Sequence, residues 1–172
     1  MANPEIYVAC LASYNNGKLH GCWIDATLDE SDISEEISEM LEESSESYAS
    51  DWAVHDYSGF YESGSVLGEH PNLEKVSIAA KLIQEHDELA SGVISHFCGD
   101  INEARKALEE KYLGEYDSLG DYAAEQCESL IGDIPDHIVR YIDYDGMGRD
   151  YELGGDVFTI KLDGKVHIFT NH

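Results

Sequence analysis

Glu5-Ile-Tyr-Val-Ala-Cys-Leu-Ala12, Asn15-Asn-Gly17, Leu19-His-Gly-Cys-Trp-Ile24 and, beyond a charged stretch, Asp51-Trp-Ala-Val-His-Asp-Tyr57 decide how the first third of the chain folds. The first two apolar runs are rich in β-branched and aromatic residues. Asn-Gly between them tolerates the positive φ of a tight turn, so the pattern predicts a β-hairpin. Over residues 32–43, Ile33, Ile37, Met40 and Leu41 recur at helical spacing, and Asp32 with Glu35 three positions on has the form of a capping pair. A third strand at 51–57 completes a ββαβ unit, expected to span residues 1–62.

Tyr61-Glu-Ser-Gly-Ser-Val-Leu-Gly68 is the expected boundary. Beyond it, Pro71 stands near a helix start. Leu73, Val76, Ala80 and Ile83 form one apolar stripe, and Leu89, Val93 and Phe97 a shorter one. Asp100-Ile-Asn-Glu103 reads as a cap for a helix burying Ile101, Ala104 and Leu108, so residues 63–103 are expected to form a central helical domain. Residues 104–172 change pattern again. Tyr112–Tyr116 reads as a short strand, Ser118 caps a helix that ends at Gly132, and Pro135 opens a short helix with Ile138, Val139 and Ile142. Val157–Leu162, the turn Asp163-Gly164 and Val166–Phe169 form a closing hairpin. The expected fold is α+β, an elongated chain of three small domains.

Composition narrows the function. Across 172 residues, 36 acidic side chains face 10 basic ones, a formal net charge of −26. The acids alternate with apolar residues along the whole chain instead of gathering in a tail, so the charge belongs to folded surfaces. Coulomb repulsion disfavours nucleic acid and anionic membrane as partners and favours a basic protein surface. Cys10, Cys22, Cys98 and Cys127 include no CxxC pair, the N-terminus lacks a secretory pattern, and no apolar run approaches the roughly 18 residues of a membrane span. The expectation is a cytoplasmic protein with reduced thiols.

No lysine or arginine occurs between Lys18 and Lys75, whereas 14 carboxylates lie between Asp25 and Glu69. Each like-charged pair at i,i+3 or i,i+4 on the 32–43 helix costs about 0.2–0.5 kcal/mol at low salt, and half a dozen cost roughly 1–3 kcal/mol. Selection for stability alone would have placed lysines there. A solvated helix face, adaptation to high salt and imitation of a polyanion are the competing explanations. B-DNA carries one charge per about 1.7 Å of axis, so 26 charges correspond to roughly 44 Å of duplex, a length that three small units in a row could match. Asp32, Glu35, Glu36, Glu39, Glu42, Glu43, Glu46 and Asp51 are the first candidates for phosphate mimics. Asp29, Glu30, Glu109, Glu110, Glu115 and Asp117 extend the same acidic surface.

Catalysis finds little support. His55-Asp56 and His86-Asp87 are sequence neighbours, whose side chains do not face each other in a strand or a helix. GxSxG, P-loop, GxGxxG and HExxH patterns are missing. His96-Phe-Cys98 has no second pair at zinc spacing, and a buried cysteine beside a helix end is the plainer account. Asp143-Tyr-Asp-Gly-Met-Gly-Arg-Asp-Tyr-Glu152 resembles a calcium loop but places Met147 and Gly154 where oxygen ligands belong. It reads instead as a turn-rich loop with Arg149 paired to nearby aspartates. Neither a catalytic residue nor a metal or other cofactor is expected. Six tyrosines, Tyr112, Tyr116, Tyr122, Tyr141, Tyr144 and Tyr151, make the last third a candidate for self-association.

Four blocks in order, Ile6–Trp23, Trp52–Tyr57, Tyr112–Tyr122 and Ile138–Asp150, closely resemble the ArdA antirestriction proteins over nearly the whole chain. The resemblance implies a curved, elongated homodimer of three small domains per chain, encoded on mobile elements. It implies carboxylates standing in for DNA phosphates and inhibition of type I restriction-modification enzymes by filling the DNA site of their specificity and modification subunits. It further implies an antirestriction motif on the helix near Asp121–Ile134, close to the dimer contact, with Asp121, Glu125, Glu128 and Asp133 as its acidic residues. A mimic aimed at another DNA-binding target, such as a CRISPR effector or a repressor, and a salt-adapted acidic domain are the alternatives.

Overall fold

The computed structural model describes residues 3–172 and is mixed α+β, with two three-stranded sheets. It gathers into two compact units, residues 1–105 and 106–172.

In the first unit, β1 (Glu5–Cys10) pairs antiparallel with β2 (Gly21–Asp25) and with β3 (Trp52–Ser58), giving the order β2-β1-β3. Period-2 alternation drives Ile6, Val8, Ile24 and Val54 into the core. The first two strands pair as expected, but no tight turn joins them. A short helix, α1 (Leu11–Asn15), intervenes, because the ladder opens at Cys10 N to His20 O and leaves too many residues for a two-residue turn. Gly17 keeps its positive φ of 75° within this detour.

The next helix, α2 (Glu30–Glu42), begins earlier than expected. Asp29 leaves the helix with extended backbone angles, and its carbonyl accepts from Asp32 N and Ile33 N at 3.0 Å. Asp32 and Glu35 are therefore interior, outward-facing residues and not a capping pair. Ile33, Ile37 and Met40 bury the opposite stripe. α3 (Ser63–Leu67) and α4 (Leu73–His96) pack in the same unit; the first expected stripe lies on α4 and the second ends on its C-cap, Phe97, with a kink between them at Asp87, φ 51° and ψ −139°. Ser77 Oγ donates to Leu28 O at 2.6 Å and ties α4 to the start of α2. Asp100 caps α5 (Ile101–Lys106) as expected, accepting from Asn102 N and Glu103 N at 3.2 Å each.

In the second unit, a π-helical turn (Ala107–Lys111) leads into β4 (Tyr112–Tyr116). The sheet order is β4-β6-β5, with β5 at Val157–Leu162 and β6 at Lys165–Thr170. Asp163 and Gly164 both take positive φ, 51° and 77°, as the tight hairpin turn requires. Ser118 Oγ accepts from Asp121 N at 3.1 Å and caps α6 (Leu119–Ile131). Pro135 precedes α7 (Asp136–Val139), which buries none of its residues. The expected turn-rich loop is instead a helix, α8 (Tyr144–Leu153), whose N-cap Asp143 accepts from Gly146 N at 2.9 Å. Among the described residues, no ion pair joins Arg149 to an aspartate. Gly148 lets α8 approach α6 so closely that an added Cβ would stand 2.7 Å from Leu119 O. Tyr122, Val157 and Ile168 form the core, beside the stacked rings of Phe158 and Phe169, 4.8 Å apart.

Candidate functional site

Burying Ile33, Ile37 and Met40 fixes how the rest of α2 points. At 100° per residue, Asp32, Glu35, Glu36, Glu39, Glu42 and Glu43 fall within a sector of about 120°, turned away from the buried stripe. All six are exposed, as is Glu30 at the helix start. From Asp32 to Glu43 the axis rises about 17 Å, so the six carboxylates of this sector stand roughly one per 3 Å, close to the 3.4 Å per phosphate along one strand of B-DNA.

Nothing on the helix offsets this charge. No basic residue lies in its last turn, where the macrodipole disfavours Glu42 and Glu43. Among the described residues, none of the seven lies within 4.0 Å of a lysine, arginine or histidine nitrogen. Cations appear only at the borders. Lys81 pairs with Asp29 at 2.7 Å, and Lys18 with Glu46 at 2.5 Å. The hydrogen bond from Lys81 holds the Asp29 carboxyl below its ordinary range, and those from Lys18 and Asn16 do the same for Glu46. Asp51 is exposed just before β3, with its carbonyl accepting from Leu11 N at 2.9 Å.

The second unit treats its acids differently. Glu109 and Glu110 are exposed on the π-helical turn. Glu115 faces His167 at 3.8 Å, and Asp117 pairs with Lys165. On α6, Asp121 accepts from Ser118 Oγ at 2.6 Å and Glu125 from the Tyr116 hydroxyl at 2.5 Å. Glu128 and Asp133 are exposed. Four of these eight candidates thus have an assigned intramolecular partner, which makes them less free to receive a ligand.

The enzyme candidates do not converge. Asp56 turns its carboxylate to its neighbour's amide, Tyr57 N, at 2.8 Å, while the His55 ring lies edge-on to Tyr14 with centroids 5.0 Å apart. Among the described residues, no group of three or more His, Cys, Asp or Glu side chains is arranged to hold a metal. All four cysteines are free. Among the described residues, no helix is long and apolar enough to cross a membrane.

Trp23 is 45% exposed on the sheet face opposite Cys22 and Ile24, a position the sequence reading missed. The clamp of Lys18 and Asn16 on Glu46 was missed as well. No local pattern signals either feature, since both depend on how the tertiary fold places a strand and a loop.

Fold and face together define an acidic α+β protein whose most distinctive surface is one helix bearing charge of a single sign. The family model for the antirestriction protein (ArdA) matches residues 6–164, and the chain belongs to the ArdA family of antirestriction proteins. Family membership gives it an antirestriction function, that of an inhibitor directed at restriction-modification enzymes. No curated protein matches the chain.

Proposed function

We propose that the protein is a DNA mimic that occupies the DNA-binding groove of a type I restriction-modification enzyme, at its specificity and modification subunits, and competes with DNA without performing chemistry. The observation that carries this is the α2 face: six carboxylates in one sector, without a compensating cation among the described residues, at a spacing near that of phosphates along a strand. A groove built for DNA presents lysine and arginine at phosphate spacing, and fixed carboxylates pair with them while releasing bound anions. Phosphate-like contacts carry no base information, so one inhibitor serves enzymes of different sequence specificity.

The active species in this proposal is a homodimer. Two chains of −26 each repel, so self-association needs apolar contact. Such side chains lie exposed in the second unit, with Leu130 81%, Ile131 72% and Tyr141 82% accessible, beside the α7 helix that buries nothing.

The test is competition. Added to a purified type I methyltransferase carrying labelled DNA, the protein is expected to displace the DNA at near-stoichiometric concentration, less effectively as salt rises. Undiminished DNA occupancy at large excess would overturn the proposal.

A further inference from the structure

Asn16-Gly17 is the one Asn-Gly step in the sequence, and the fold leaves it in the open at the end of α1. Asn16 is the C-cap of that helix, exposed, with φ −92° and ψ 12°. Gly17 follows with φ 75°, and a Cβ added there would meet nothing within 4 Å. A glycine nitrogen has no neighbouring side chain to shield it, so it approaches the carboxamide of a preceding asparagine more closely than any other residue allows. Two contacts hold the step at rest. Asn16 Nδ2 donates to Glu46 Oε2 at 2.8 Å, and Gly17 N donates to Tyr14 O at 3.0 Å. The first is a charge-assisted bond to a carboxylate that also accepts from Lys18 Nζ at 2.5 Å, so one acid pins both ends of the segment. The other asparagines are placed differently. Asn3 precedes Pro4, which has no N–H, the Asn72 side chain caps α4 by accepting from Lys75 N, and Asn102 lies in α5.

We propose that Asn16 is a deamidation site restrained by Glu46, and that the reaction opens the clamp which restrains it. When the segment opens locally, hydroxide takes the Gly17 N–H proton and the nitrogen attacks Asn16 Cγ. The bond from Cγ to the carboxamide nitrogen breaks, that nitrogen takes up a proton and leaves as ammonia, and a succinimide ring remains. Water adds to one of the two ring carbonyls and cleaves the ring to aspartate or isoaspartate. Water is the sole co-reactant, and nothing is oxidised or reduced. Either product sets a carboxylate where an N–H donor stood. Glu46 then faces a like charge, and two acids contend for Lys18, one of the two lysines that border α2. The formal charge passes from −26 to −27, one carboxylate gained, three residues beyond the last acid of the α2 face. The change is irreversible and loosens the segment that follows α2. It is independent of the DNA-mimic reading.

Incubating the full chain at neutral and at mildly alkaline pH, followed by peptide mapping, reads the conversion. The peptide ending at Lys18 is expected to gain the mass of an amide exchanged for an acid, with fragmentation assigning the change to Asn16 and enzymatic methylation revealing isoaspartate. This gain should precede any at Asn72, Asn102 or Asn171 and should quicken as pH rises. Asn16→Gln is expected to abolish it. Glu46→Ala, with its melting temperature unchanged, is expected to speed it about fivefold, the effect of removing a bond to a charged acceptor. A second variant serves if Glu46→Ala unfolds. In Asn16→Asp, which stands in for one product, the Glu46 carboxyl titration followed by NMR is expected to move up, since one of the donors that hold it below its ordinary range is gone. Conversion at Asn16 no faster than at Asn102, an unchanged rate in folded Glu46→Ala, or a Glu46 titration unmoved by Asn16→Asp would each overturn the inference.

Discussion

α2 and α6 are both 13 residues long, and they spend their carboxylates in opposite ways. On α2 the acids accept no hydrogen bond from a side chain among the described residues, and its apolar residues are covered. On α6 two of three acids are engaged, Asp121 by the capping Ser118 and Glu125 by Tyr116, while Leu130 and Ile131 stand bare at the helix end. One helix leaves its carboxylates unpaired among the described residues, at a cost in like-charge repulsion. The other uses charge to hold its own unit together and leaves apolar surface over. The acids of the chain are therefore arranged in two ways, which net charge alone does not separate.

Neutralising α2 tests this contrast most severely. Asp32→Asn together with Glu→Gln at 35, 36, 39, 42 and 43 is expected to move activity and stability in opposite directions. Each exposed ion pair lost to the partner is worth about 0.2–1 kcal/mol, so inhibition of a restriction enzyme should fall about a hundredfold or more. Removing the repulsion between neighbouring turns should meanwhile stabilise the fold by about 1–3 kcal/mol in urea denaturation. A variant that loses stability, or inhibits as well as wild type, would break the contrast.

The corresponding strain in the second unit is steric. Gly148→Ala places a methyl against the backbone carbonyl of Leu119, which cannot swing aside, and overpacking of this kind costs about 1–3 kcal/mol. Gly120→Ala meets first the Asp145 carboxylate, the end of an exposed side chain, with the nearest backbone atom, Asp145 Cα, at 3.4 Å, and is expected to cost less. Equal denaturation midpoints for the two variants would show that the close approach of α6 and α8 is not what Gly148 secures. Ser118→Ala, which removes the cap of α6, should cost about 1 kcal/mol in the same assay.

Where sequence periodicity and a local hydrogen bond agree, the fold was legible. The strands, the Asp163-Gly164 turn and the caps at Asp100 and Ser118 stand where expected, because each depends on residues within four positions. α1 was not legible, since its short detour lies between two strands whose pairing looks the same with or without it. α8 was misread because Gly146, Gly148 and Gly154 suggest a loop. Glycine weakens a helix by about 1 kcal/mol, and only the packing of Gly148 against α6 explains its presence in one. The exposed acids of α2 followed directly from its apolar stripe. Which acids of α6 were already engaged did not, because Tyr116 reaches Glu125 from a strand.

The smallest effect tests that last contact. The hydrogen bond to Glu125, aided by burial and by the charge of the same carboxylate, pushes the Tyr116 hydroxyl up to about 12. The neutral phenol is the form the fold prefers. Its contribution to stability is therefore complete below the ordinary tyrosine value of 10 and is lost as pH rises through about 12. In a tyrosine ring-carbon titration by NMR, Glu125→Gln should move the Tyr116 step down toward 10. Tyr57, raised mainly by burial, should stay where it is. A Tyr116 step unmoved by Glu125→Gln would show that the carboxylate is not held by the phenol. Because Glu125 is already engaged, the same substitution should weaken antirestriction by no more than about threefold. A larger loss would place α6 beside α2 as a ligand-facing helix and erase the distinction between them.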